Sequence, residues 1–427
     1  MMPDINLITA ILESEMGSDI VVDPVNKNGE LSPMSLILRE AISQSGKDIP
    51  VYWIDGGFPE IFCLQGHSNA TIFSTRYLSF TALLRQLFVN NYYSDDIRIE
   101  MAEKISFHIV AELALRKGNA DFAAFSMVKN LVGKGLFFPW TQDEKADLIT
   151  LERENINEAY MGTWFYGLLH ELGHFPDETV DEDLKRAFSN EYLFSWLERL
   201  LPHFPYSQEL KEKVFSDFKA QGNKGLLDPD EIREEIAADI FAISVLLKST
   251  VQIMDIVKQS SFSILKFFQE ILVSISIVFI FNSCKRMALH GSKIADLTYE
   301  EAFSNVVQPV LFSLRSNLII QYLKHAVITY LGGQISGEVD SAISELIREM
   351  TKFNNLLEKG WNKAMRFSVF PEERGDQFVL LKELKKELSG PNGAMLRIEL
   401  DHFCKKAQTL NRKGNYLDEL IKLNDQL

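Results

Sequence analysis

Residues 170–174 read His-Glu-Leu-Gly-His. On a helix, side chains four apart share a face, so His170 and His174 can turn two imidazoles towards one metal ion. Glu171 stands about 100° further round the same turn, beside such an ion rather than on it. From there it can take a proton from a water that the metal has acidified, the general-base task of a metallohydrolase. Two core histidines on an amphipathic helix are the plainer alternative. Trp164, Phe165, Leu168, Leu169 and Leu172 give that helix a broad apolar surface, and Gly173 allows another element close. Phe175-Pro176 ends it, because proline disfavours helical geometry in the residue before it.

A catalytic zinc takes three protein ligands and keeps one position open. Asp228-Pro229-Asp230-Glu231 begins a second helix, with Asp as cap, Pro in the first turn and Glu three residues after the cap. Glu235 and Asp239 are four apart on it, with the small Ala237 and Ala238 between them, where two helices can cross closely. Glu235 is the expected third ligand. Asp239, one turn on, is placed to accept the outer N–H of a ligating histidine. Glu234 and Glu235 would otherwise be a solvated face, but the following Ala-Ala-Asp-Ile-Phe-Ala is a core sequence, where a lone Asp is costly.

These two helices resemble the gluzincin metallopeptidases, which carry HExxH and then ExxxD on a second helix. Glu235 follows His174 by 61 residues, a separation similar to that of the CAAX-prenyl-protease and heat-shock membrane protease branch. The resemblance covers about 50–80 and 155–320. It implies one Zn2+ per chain, a peptide or protein substrate, and an edge strand ahead of the motif. Asn69–Leu78 looks like that strand, so Ala70, Ile72, Phe73 and Ser74 are expected to pair with an extended substrate. Gln308-Pro309 and Arg315 resemble the family's His-Pro-x-x-x-x-Arg, with Gln for His and one residue more. Arg315 then steadies Asp239 or an oxyanion, or else is a surface arginine. About ninety residues separate the strand from His170, and the several membrane-spanning helices of some relatives are missing. The implied activity is peptide hydrolysis with Glu171 as base. The alternative, from another class, is a binding or regulatory protein that keeps a structural zinc.

These residues need elements to hold them. Three runs, 51–54, 60–64 and 70–76, are rich in β-branched and aromatic residues and separated by Gly and Asn turns, which predicts a small antiparallel sheet. Helical spacing predicts helices over 78–90, 96–116, 120–133, 143–175, 183–201, 207–220, 229–249, 252–286 and 299–330. The expected fold is mainly α with that small antiparallel sheet (α+β): a zincin-like core plus a helical C-terminal module. The expected units are an N-terminal helical segment 1–48, a metallopeptidase domain 49–335 with a helical insertion at about 80–155, and the C-terminal module 336–427. Leu331-Gly332-Gly333 and Ser336-Gly337 are the expected linker. Ile271–Phe281 is an uncharged apolar run too short to span a bilayer, which needs about 20 residues, so a core helix is expected; membrane association is allowed but not favoured.

Composition narrows the classes. The 427 residues are 46% hydrophobic and 24% charged, as in globular domains. A net charge of -15 opposes nucleic-acid binding, which needs a basic face. Three unpaired-looking cysteines, Cys63, Cys284 and Cys404, and the lack of a basic-then-apolar leader point to a reducing cytoplasm. Gly66-His67-Ser68-Asn69-Ala70 nearly matches a nucleophile elbow, but a strand rather than a helix follows it, so a hairpin turn is expected. His67, His108, His203, His290, His325 and His402 are isolated and read as structural or exposed.

Overall fold

Helical periodicity dominates the sequence, and the described residues are mostly helical. The structure, a computed structural model, describes residues 21–22, 42–43, 45–47, 49, 51–54, 61–64, 70–89, 93–133, 157–175, 189–200, 202, 208–219, 229–257, 269–282, 315–316, 318–322, 325, 336–369, 374–391 and 393–426. Leu331-Gly332-Gly333, the 134–155 part of the insertion and the 143–156 part of the expected helix lie outside these residues, as does most of the 1–48 segment.

Four short strands form one sheet: β1 (Val21–Val22), β2 (Val51–Ile54), β3 (Ile61–Leu64) and β4 (Ala70–Ser74). Their order is β1-β2-β4-β3. β3 and β4 pair antiparallel, Leu64 opposite Ala70, so the 65–69 segment joins two antiparallel strands as expected. The expectation of an antiparallel sheet fails at its centre, where β4 lies parallel to β2. The run at 70–76 was expected to be an edge strand. Instead Thr71, Ile72 and Ser74 are all 0% exposed, and a strand buried on both faces belongs between neighbours. β4 is therefore no open edge, and Ala70, Ile72, Phe73 and Ser74 have their backbones committed to β2 and β3. Val21–Val22 also departs from the helical N-terminal expectation: this β-branched pair adds to β2 antiparallel.

Helices supply the rest of the described frame. α1 (Thr75–Val89) follows β4 directly, so Thr75 and Arg76 belong to a helix rather than to the strand. α2 (Asp95–Arg116) and α3 (Ala120–Leu131) make up the described part of the insertion. α4 (Asn157–Gly173) carries the histidine motif, and α5 (Asn190–Leu200) and α6 (Gln208–Lys219) follow. α7 (Pro229–Val257) starts at its predicted proline but runs through Thr250 and Val251, where a break was expected. No Gly or Pro interrupts the sequence from Asp230 to Val257. A helical stretch over 269–282, α8, contains Ile271–Phe281, and Ile277 and Phe281 are 0% exposed. Among the described residues no helix is long and apolar enough to cross a membrane. α9 (Ser336–Val369) takes in Ser336 and Gly337, so this half of the expected linker is a helix's first turn. A first-turn N–H has no helical partner in any case, which makes Gly tolerable there. α10 (Gln377–Leu388), α11 (Gly393–Thr409) and α12 (Asn415–Asp425) complete the chain.

The insertion and the C-terminal helices share one core. α9 lies along α2, and α12 lies on α3. Gly360 permits the first approach: a Cβ there would meet Ala102 Cβ at 2.8 Å. Asp121 of α3 accepts the backbone N–H of Tyr416 at 2.8 Å and of Leu417 at 3.2 Å, capping α12 where Gly414 offers no side chain. Lys406 of α11 pairs with Glu112 of α2, both buried. Burial opposes the Glu112 charge, but Lys406, His108 and Arg116 overcome it and hold the carboxyl down at about 2 against an ordinary 4.5.

A depressed carboxyl contributes stability above its unfolded pKa, and that contribution is lost as pH falls towards the folded value. Between pH 6 and pH 3 the native chain should lose about 2 kcal/mol that Glu112→Gln does not lose. Urea unfolding of both proteins across this range checks it, and parallel stability curves would refute the pairing.

Candidate metal centre

α4 is held between the sheet and α7, and two glycines set how closely. A Cβ on Gly173 would lie 2.6 Å from Ala238 Cα, so the two helices cross there backbone to backbone. A Cβ on Gly167 would lie 2.7 Å from the Tyr77 hydroxyl and 2.9 Å from Ile61 Cδ1, which seats α4 on α1 and β3. Gly173 and Ala238 were each expected to allow a close approach, and here they meet each other.

This crossing brings the motif halves together. One ligand atom each from His170, His174 and Glu235 can be chosen so that all lie within 4.8 Å of one another. The two histidine Nε2 atoms are 3.3 Å apart. Glu235 carboxylate oxygens lie 3.6 Å from His170 Nε2 and 3.8 Å from His174 Nε2. Two nitrogens on a tetrahedral zinc, each about 2.05 Å from it, stand about 3.3 Å apart. The donor set therefore fits a small tetrahedral ion with little movement. The three side chains are partly accessible, at 12%, 15% and 37% of full exposure, which leaves room for a fourth ligand.

Behind the ligands lies Asp239, which is fully buried. Its Oδ1 stands 2.8 Å from His170 Nδ1 and accepts the Tyr166 hydroxyl at 2.7 Å. Arg315 donates to both of its oxygens, Nε to Oδ2 at 2.8 Å and Nη2 to Oδ1 at 2.9 Å. The same guanidinium also pairs with Glu235 through Nη1. Arg315 is 6% exposed, which settles the alternative of a surface arginine. Its other face packs over Phe279 of α8, 5.4 Å from the ring centre.

Burial works against the Asp239 charge, yet Arg315 and His170 hold its carboxyl well below the usual range. Burial likewise disfavours a charged His170, but Asp239 outweighs it and raises the imidazole. His174 is pushed the other way, by burial and by His170. A carboxylate on Nδ1 fixes the His170 tautomer and leaves the Nε2 lone pair facing the other ligands. His174 has a weaker counterpart: Glu234, with its side chain 57% exposed, reaches His174 Nδ1 at 3.5 Å.

Glu171 points to the β3 side of α4. Burial pushes the Cys63 thiol and the Tyr77 hydroxyl up, and the negative charge of Glu171 adds to both. Cys63 also donates to the Glu171 carbonyl at 2.8 Å. Sequence reasoning missed Tyr166, although it stands four residues before His170 on the same face. It also missed Cys63 and Lys47, for which no local pattern exists. Among the isolated histidines, His108 is buried edge-on against Phe80, and His325 and His402 are exposed. No family model, no curated protein and no solved structure matches the chain.

The Asp239–Arg315 pair should behave as one unit. Arg315→Met or Asp239→Asn alone strands a buried charge and should cost about 3–5 kcal/mol in the metal-free protein. The double variant should cost less than the sum by about 2 kcal/mol. Urea unfolding of all four proteins measures this coupling, and simple additivity would show that the two groups act separately.

Proposed function

We propose that the protein is a gluzincin-like zinc metallopeptidase, with one zinc per chain on His170, His174 and Glu235, and Glu171 as general base. The observation that carries it is the convergence of three ligand atoms at near-tetrahedral separations, with a non-ligand carboxylate adjacent in sequence. Bound zinc supplies Lewis acidity, lowering the pKa of a water and polarising a carbonyl. The chain's own residues do the rest. Asp239 orients His170, and Arg315 ties Glu235 to Asp239, so two of the three ligands are held by one buried network. Glu171, next in sequence to His170, is assigned the task of accepting a proton from water and returning it to the leaving amine.

The substrate strand is better assigned to β3 than to β4. β3 pairs only with β4 among the described strands and packs against α4, so among the described residues its outer edge has no strand partner. An extended peptide can add to such an edge through main-chain hydrogen bonds. Cys63 and Cys404 are free thiols, which accords with a reducing, cytoplasmic setting.

Zinc content tests the ligand set. Purified protein should hold about one zinc, and Glu235→Ala should lose it, while Glu234→Ala should weaken binding by no more than about tenfold. Elemental analysis after dialysis decides; equal content in the two variants would remove Glu235 from the site.

Peptide hydrolysis separates an enzyme from a protein that keeps zinc as a staple. Glu171→Gln preserves side-chain shape but removes the base, so turnover should fall by about 10²–10⁴. Zinc content should not change, since Glu171 is not a ligand. Full retention of function by Glu171→Gln, alongside its loss in His170→Ala, would favour the structural-zinc alternative.

A further inference from the structure

α4 ends at Gly173, so His174, one of the two imidazoles, lies beyond the regular helix. It hangs on a tightened last turn, in which His174 N–H donates to the Glu171 carbonyl and Phe175 N–H to the Leu172 carbonyl, each at 3.2 Å. Helix termini fray at little cost. A metal ligand on a fraying turn would be poorly placed for most of the time, and the helix itself has no further means to hold it.

The holding group comes from 125 residues upstream. Lys47 Nζ donates to the Leu172 carbonyl at 2.8 Å and to the Phe175 carbonyl. These two carbonyls bracket Gly173 and His174. The same ammonium lies 4.5 Å from the centre of the Phe241 ring on α7, the helix that carries Glu235 and Asp239. A cation at a helix C-terminus also opposes the macrodipole. The sequence around Lys47 is shaped to present it. Ser45 accepts the Lys47 N–H at 3.2 Å, and Gly46 takes a φ of +71°, which turns the chain away from the short helical turn before it.

We infer that Lys47 is a positioning residue for the metal centre: it clamps the terminal turn of α4, and with it His174, against α7. The inference rests on the metallopeptidase reading for its consequence, but not for the clamp itself. It assigns a role in the site to the segment before residue 48, which the motif gives no reason to include.

The test compares Lys47→Met, which keeps the aliphatic stem but removes the donors, with Lys47→Arg, which restores them. Amide hydrogen exchange at His174 and Phe175 in metal-free full-length chain reads the clamp directly. Exchange should speed by tenfold or more in Lys47→Met and return to within about threefold of native in Lys47→Arg. Zinc affinity, by competition with a chelator, should fall ten- to a hundredfold in Lys47→Met and recover in Lys47→Arg. Unchanged exchange in Lys47→Met overturns the clamp, whether or not zinc binds. Faster exchange with native zinc affinity overturns the positioning role. Absence of zinc binding by the native chain would instead overturn the metal-centre reading, and the exchange result would still decide the clamp.

Discussion

A single fully buried carboxylate, Asp239, organises the candidate site and the helices around it. It meets four nitrogen or hydroxyl groups from two segments of chain: Tyr166 and His170 on α4, and two guanidinium nitrogens of Arg315. A lone carboxylate in the interior would cost several kcal/mol, so the surrounding chain has no freedom to place these donors elsewhere. Because Arg315 also grips Glu235, the metal-facing and core-facing carboxylates of α7 are fixed by the same cation. Ligand geometry and core packing are thus one problem with one solution.

That solution requires α4 and α7 to touch. Tyr166 and His170 reach Asp239 only because Gly173 and Ala238 let the two backbones cross in contact. A larger side chain at either position would widen the gap between the helices and pull the imidazoles away from Glu235. The two histidines of the candidate site nevertheless have different support. His170 sits inside the helix, backed by Asp239. His174 sits past its end, backed by the exposed Glu234 and by a turn whose carbonyls Lys47 and Cys63 hold from outside. Precision at the first comes from burial, and at the second from side chains that reach in from distant segments.

How much of this was legible in the sequence follows from the range of each interaction. His170, Glu171, His174, Glu235 and Asp239 declare themselves because helical spacing encodes their relation within five residues. The Gly173 and Ala238 crossing was readable for the same reason: small residues at the right register. Arg315 was visible only as an ambiguous resemblance, since nothing local distinguishes a buried arginine from a solvated one. The edge position and antiparallel pairing expected of β4 failed because pairing is a tertiary choice. The antiparallel pairing of β3 and β4 was legible, but no local signal says that β4 will lie between β2 and β3. The break expected near residue 250 was a misjudged boundary, and Ser336-Gly337 shows that a glycine in a first helical turn is no linker. Lys47 was illegible altogether, since its partners are main-chain carbonyls, which leave no trace in side-chain patterns.

The helical half uses the same device as the site, with different residues. Glu112 and Lys406 are buried partners 294 residues apart, and Arg85 of α1 pairs with Glu270 of α8 across 185. Arg315 and Asp239 span 76. Such a pair contributes little net stability, because desolvation consumes much of the attraction, but breaking it is costly. Its effect is therefore selective rather than cohesive. Amphipathic helices with similar leucine and isoleucine faces can dock in many registers at nearly equal hydrophobic gain. A register that leaves Glu112 or Asp239 without its cation loses several kcal/mol relative to the native one. The apolar faces bring the helices together, and the buried charges decide which ones meet and at what height. In the α4–α7 pair that same choice of height is what brings Glu235 level with His170 and His174.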